Sequence, residues 1–143
     1  MATWDEVDAI ASELPEVTSR VGGHDAMRQW QVRKKTFVWE RPLRKSDLEA
    51  LGDAAPDGPI LGAWLADEGE KFALIEGNPG VYFTTPHFSG YAAVLVNLFL
   101  QLAILAPFNL DAIGSGELAE LITDAWLNRA PKRVASEFLS SAD

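Results

Sequence analysis

The sequence predicts a single domain of mixed helix and strand, with helices at its two ends and short strands between. Three observations carry that expectation. A capping-box spacing opens an amphipathic segment at the start; two runs rich in aromatic and β-branched residues flank position 34; and an apolar stripe at helical spacing lies near the end. The chain has 143 residues, 48% hydrophobic and 23% charged, and folding at that length buries roughly 68% of the accessible surface. There is no cysteine, which excludes disulfide scaffolds, thiolate metal sites and thiol nucleophiles.

The first helix follows from Thr3-Trp4-Asp5-Glu6, where the Thr3 hydroxyl can accept from the third helical amide and Glu6 can reach back. Trp4, Val7, Ile10, Ala11 and Leu14 share one face, and Pro15 supplies the stop. Glu16 to Gly22 reads as a short strand. Trp30 and Val32 alternate with Gln31 and Arg33, and Thr36 to Arg41 follows the basic step at Lys34-Lys35, so the pair is expected to form a hairpin. Ser46-Asp47-Leu48-Glu49 repeats the capping-box spacing and is expected to open one or two helical turns. Ile60 to Ala66 is a further strand, and Asp67 to Glu76 a short helix closed by Gly77-Asn78-Pro79-Gly80. Val81 to Phe83 is strand or loop, and Gly90-Tyr91 a strand entry. Glu117 to Asn128 is the clearest helix, with Leu118, Leu121, Ile122, Ala125 and Trp126 on one stripe; Pro131 suits the first position of another, with Val134 and Phe138 inward.

From Gly77 to Leu110 the chain has no Asp, Glu, Lys or Arg. A transmembrane span is not expected there, because Asn97, Gln101, Pro107 and Asn109 interrupt the apolar run and no basic residues flank it. The amino terminus is acidic, with no apolar run of the signal-peptide kind, and no Asn-x-Ser/Thr site occurs. A cytoplasmic location is the expectation, with no membrane partner.

Net charge is -9, which repels polyanions at long range. Its distribution is uneven: Arg28, Arg33, Lys34, Lys35, Arg41, Arg44 and Lys45 face one acid, Glu40, within residues 28–45, a local +6 against -15 elsewhere. Arg129, Lys132 and Arg133 form a smaller cluster. Basic residues at a hairpin tip, with Trp39 and Arg41 on the adjoining strand, resemble a wing that lies against phosphates; the plain alternative is a hairpin kept soluble by its lysines. Catalytic patterns are missing. The two histidines, His24 and His87, lie far apart in sequence, Gly114-Ser115-Gly116 lacks the nucleophile-elbow spacing, and no metal-ligand or phosphate-loop motif occurs. Thr84, Thr85, His87 and Tyr91 set hydroxyls, an imidazole and an aromatic in one loop, which forms either a ligand pocket or merely a shaped turn. His87 with Thr84 or Thr85 is the one group that a search for catalysis would test.

Three segments together resemble the MmcQ/YjbR family: Trp30 to Leu43 (WQVRKKTFVWERPL), Val81 to Val96 (VYFTTPHFSGYAAVLV) and Asp124 to Arg133 (DAWLNRAPKR), of which Phe83-Thr84-Thr85-Pro86-His87-Phe88 is the most specific. With the helix opened by Trp4, the resemblance spans nearly the whole chain. It implies an α+β, CyaY-like double-wing fold: an antiparallel β-sheet with N- and C-terminal helices packed on one face. It also implies DNA binding, a label that rests on the wing architecture, and carries no cofactor and no catalytic residues. The chain departs from the family in an apolar extra of about 12 residues, Phe99 to Leu110. That extra extends the last strand, pairs with a neighbouring chain or ends in disorder, and if exposed it is an association surface. Lys34 also stands where family members often have glycine, giving a tip that is more basic and less tightly turned.

The functional expectation is a non-enzymatic binding module. Arg28, Arg33, Lys34, Lys35 and Arg41, joined by Arg129, Lys132 and Arg133, would contact DNA phosphates weakly and with steep salt dependence. The alternative is a protein- or small-ligand-binding domain using Thr84, Thr85, His87 and Tyr91. Acidic side chains interleaved with the wing in space would take away the warrant for the nucleic-acid reading.

Overall fold

The computed structural model describes residues 3–22, 27–56, 58–101, 109–111 and 113–141. Helix α1 (Trp4–Ser12) starts where the capping signal places it: Thr3 Oγ1 accepts from the Glu6 amide at 3.2 Å. Three strands follow as an antiparallel meander, β1 (Val17–Gly22), β2 (Met27–Val32) and β3 (Lys35–Glu40). The remaining elements are α2 (Lys45–Leu51), β4 (Ile60–Trp64), α3 (Glu68–Gly77), β5 (Tyr82–Phe83), β6 (Ala93–Asn97), β7 (Phe99–Gln101), β8 (Asn109–Asp111), α4 (Ser115–Arg129) and α5 (Lys132–Ser141). Six strands form one antiparallel sheet in the order β1-β2-β3-β4-β6-β5, so among the described residues β1 is an edge strand.

Helices α1, α4 and α5 cover one face of this sheet, as expected. Val7 and Ala11 of α1, and Leu118, Ile122, Ala125 and Trp126 of α4, meet Trp30, Val32, Val38, Leu61, Ala63, Val94 and Val96 in the main core. Apolar burial on that scale is the dominant favourable term in folding. Indoles fasten the layer. Trp4 stacks on Trp30 at 6.2 Å, Trp30 Nε1 donates to Asp8 Oδ1 at 2.8 Å, and Trp126 Nε1 donates to the Pro15 carbonyl at 3.1 Å. Phe138 of α5 meets Trp126 edge-on at 5.0 Å. At the other edge of the sheet Tyr82 donates to Glu117 Oε1 at 2.6 Å; burial, then that hydrogen bond, then the charges of Glu117 and Glu120, hold its pKa well above the ordinary tyrosine value.

Several sequence expectations are corrected in detail. Helix α2 is capped at Arg44, not Ser46, because the Asp47 carboxylate turns inward and accepts from the Arg44 amide at 2.9 Å. Helix α5 begins after Pro131, whose carbonyl accepts from Ala135. Gly90 lies in a turn with φ +85°, and β6 begins three residues later. The hairpin tip is tight despite lacking glycine: Arg33 and Lys34 alone link β2 to β3, with φ of 46° and 71°. Positive φ at both central residues is the twist that two-residue hairpins select. The apolar extra does not simply prolong β6. Its ends pair with each other as a separate antiparallel ribbon, β7 with β8, while residues 102–108 lie outside the described part. Among the described residues no helix is long and apolar enough to cross a membrane.

Candidate functional site

Opposite the helices, the sheet shows a second face whose character is set by a bulge in β3. Trp30 pairs with Val38 and Gln31 with Thr36, so Phe37 is the extra residue, and Phe37 and Val38 both turn into the main core. Trp39 therefore emerges on the far face. It pairs across the strands with Gly62, and the indole lies so closely over that glycine that a Cβ there would collide with the ring. Trp64 and Phe88 flank it at 5.9 and 6.1 Å between ring centroids. Beneath them a small second core of Ile60, Phe88, Ala93 and Leu95 holds this aromatic group in place.

These rings border a groove of about 350 Å³, open to solvent. The polar part of its lining comes from the meander, beside Trp39 on the same sheet face: Thr36 Oγ1 donates to Gln29 Oε1 at 3.2 Å and accepts from Gln31 Nε2 at 3.2 Å. The Gln29 amide nitrogen has no hydrogen-bond partner among the described residues. His87 stands at the rim, exposed and edge-on to Phe88 at 4.8 Å. Behind the groove, Arg41 donates to Asp47 Oδ2 at 2.9 Å and to the Pro42 carbonyl at 2.7 Å, and its guanidinium lies over the Phe88 ring. The face of the Trp39 indole, with the Trp64 and Phe88 rings tilted 46° and 42° to it and an amide and a hydroxyl beside it, suits a planar ring with a polar edge.

The residues expected to contact phosphate are dispersed. Arg41 is only 6% exposed and is committed to Asp47, so it is a structural ion pair rather than a surface cation. Arg33 pairs with Glu16 at 3.0 Å. Arg28 is exposed in a hollow shared with Asp5, Asp8 and Arg20. Arg129 lies over the Trp64 ring at 4.9 Å, and Lys132 and Arg133 are exposed at the start of α5. Lys34 and Lys35 remain exposed at the wing tip with no ion pair among the described residues. Acids thus interleave with Arg28, Arg33 and Arg41, which removes the wing as a whole as a phosphate-binding face and leaves only its Lys34-Lys35 tip.

The loop expected to bind a ligand divides in two. His87 and Phe88 face the groove, whereas Thr84, half-buried, and Thr85, 3% exposed, line a separate pocket against α3. Tyr91 is exposed, and its carbonyl accepts from the buried Lys71. Sequence reasoning missed Gln29, Trp64, Gly62 and Lys71; the Gln29, Gln31, Thr36 and Trp39 side chains share one face only once the bulge is known. Among the described residues no group of three or more His, Cys, Asp or Glu is placed to hold a metal.

The uncharacterized protein Rv2570 of Mycobacterium tuberculosis (strain H37Rv) is 49% identical to this chain over 145 residues, covering 99% of each, and the uncharacterized protein Mb2600 of Mycobacterium bovis matches to the same extent. The chain belongs to their family. The match covers nearly the whole chain, including the segments that line the groove. No family model and no solved structure matches the chain.

Proposed function

We propose that this chain is a binding module whose ligand carries a planar ring, seated in the groove on the open face of the sheet. The observation that carries the reading is the Trp39 indole laid flat over Gly62 between Trp64 and Phe88, beside the Gln29 and Thr36 side chains. The ring stacks on the indole, while Gln29 and His87 contact its polar edge. Stacking on an aromatic side chain contributes about 1–3 kcal/mol by truncation. Trp39→Leu therefore weakens binding roughly 5- to 150-fold while leaving the main core untouched. The test is a panel of free heteroaromatic compounds, nucleosides included, followed through the indole N–H signals of Trp39 and Trp64 in nuclear magnetic resonance. Compounds that move those two signals in the parent and bind far more weakly to Trp39→Leu support the groove; a panel that moves neither signal overturns it.

The exposed Lys34 and Lys35 favour a second reading, contact with nucleic-acid phosphates at the wing tip, in keeping with the resemblance to the MmcQ/YjbR family. With about two phosphate contacts, log affinity falls with log salt at a slope of roughly -2. Fluorescence anisotropy with labelled DNA, at low and physiological salt, beside Lys34→Ala/Lys35→Ala, decides it: salt-sensitive binding lost in the variant supports the wing, and flat traces at low salt dismiss it.

A further inference from the structure

The pocket against α3 is distinct from the groove and contains an uncommon arrangement. Lys71 sits in the first turns of α3 with only 1% of its surface exposed. Its ammonium donates to the carbonyls of Phe88 at 2.8 Å and Tyr91 at 3.0 Å, the two ends of the turn that contains Gly90. An ammonium has three donors, so one is left over, and no carboxylate lies within ion-pair distance of it among the described residues. A buried charge without a counter-charge is costly, and two neutral carbonyls with the Phe72 ring 5.8 Å away offset only part of that cost.

A hydroxyl that is unsatisfied outright lies in the same wall. Thr85 Oγ1 is fully enclosed and has no hydrogen-bond partner among the described residues. Buried hydroxyls are nearly always paired, so an unpaired one lining a cavity marks a place for a further acceptor or donor. Lys71 and Thr85 border a pocket of about 300 Å³ together with Thr84 and Ser89; Phe72 gives it an apolar wall, and the exposed Glu68, one turn before Lys71, stands in its lining. The interior therefore calls for one negative charge and a hydrogen-bond acceptor. Glu68 opposes a dianion such as phosphate and favours a ligand with a positive group of its own.

We propose that this pocket binds a free α-amino acid, its carboxylate directed to Lys71 and Thr85 and its ammonium to Glu68. The carboxylate supplies the counter-charge that Lys71 lacks and accepts from the Thr85 hydroxyl. The ammonium meets Glu68, and a small side chain rests against Phe72.

The test is titration of the intact protein with L-alanine, L-serine and L-leucine, with acetate, ethylamine and inorganic phosphate as controls, following the backbone amides of residues 84–90. Amino acids are expected to shift those amides, with acetate and ethylamine each binding at least about 10-fold more weakly because either lacks one charged contact. Thr85→Val keeps the shape and removes a hydroxyl that has no partner, so thermal stability is unchanged or higher, while amino-acid affinity falls roughly 10-fold or more. Lys71→Met abolishes binding. Acetate binding as tightly as L-alanine, Thr85→Val binding like the parent, or no shift with any amino acid at saturating concentration would each overturn the proposal, the last leaving a buried water as the partner of Thr85.

Discussion

Lys34→Gly tests the hairpin tip directly. Lys34 has φ +71° and no ion-pair partner among the described residues, so replacing it removes backbone strain and breaks no described contact. A side-chain-bearing residue in the left-handed region costs about 1–2 kcal/mol relative to glycine. Glycine gives back roughly 0.5–1 kcal/mol through the greater freedom it adds to the unfolded chain. The balance is a gain of about 0.5–1 kcal/mol, which at a urea m-value near 2 kcal/mol per molar raises the midpoint by about 0.2–0.5 M. Arg33→Gly is the matched control. Its φ is 46°, but it loses the bond to Glu16, whose partners are 45% and 43% exposed. Such a pair contributes about 0.2–1 kcal/mol, so the gain is smaller or absent. Urea denaturation at neutral pH, with unchanged slope, is the assay. A lower midpoint for Lys34→Gly would refute the strained two-residue turn. The variant also removes one wing cation, so any DNA affinity that depends on the tip falls in the same protein that has become more stable.

Other expectations follow from single contacts. Gly62→Ala drives a methyl into the Trp39 ring and should cost about 1–3 kcal/mol, with the Trp39 indole signal displaced; an unmoved signal would remove glycine's role in laying down the groove floor. Arg41→Met leaves Asp47 buried without its cation and should cost about 3–5 kcal/mol, whereas Arg41→Met with Asp47→Leu should recover part of that loss, the remainder being the cap that Asp47 gives the Arg44 amide; chemical denaturation of the three proteins checks it. Tyr82→Phe should cost about 1.5–3 kcal/mol at neutral pH through loss of a bond to a charged acceptor. Tyr82 stays protonated in the folded protein where the unfolded chain's tyrosine, at its ordinary value of 10.0, ionises. Its contribution is therefore complete below that pH and is lost as pH rises beyond it, by up to about 1.4 kcal/mol per pH unit. Melting curves of parent and Tyr82→Phe from neutral to alkaline pH should converge; parallel curves would contradict the raised value.

Elements whose signals are local were legible in the sequence. The Thr3 cap, the stripe from Leu118 to Trp126 and the alternation at Trp30 and Val32 each announce a structure within a few residues. The candidate site was less so, for reasons of geometry. One extra residue, Phe37, inverts the alternation, so Trp39 reads as part of a basic wing when it is the floor of a groove. Arg41 counts as a surface cation until Asp47, six residues on, folds beneath it. Lys71 belongs to a charged run that looks solvated, and its burial depends on carbonyls 17 and 20 residues away. Charges that find partners across the fold leave no periodic trace in the chain.

The indole bond from Trp126 to Pro15 joins residues 111 apart, which bears on how the protein is made. During synthesis α1 emerges before the six-stranded sheet, and its partner α4 follows only after it, a wait on the order of 10 s at ordinary elongation rates. Through that interval Val7 and Ala11 have no helix to cover them. The meander provides the interim shelter: Trp30, stacked on Trp4 and bonded to Asp8, lies in the hairpin that follows α1 directly in the chain. Weakening that contact would therefore show first in the yield of newly made chain, before it showed in the stability of the finished one.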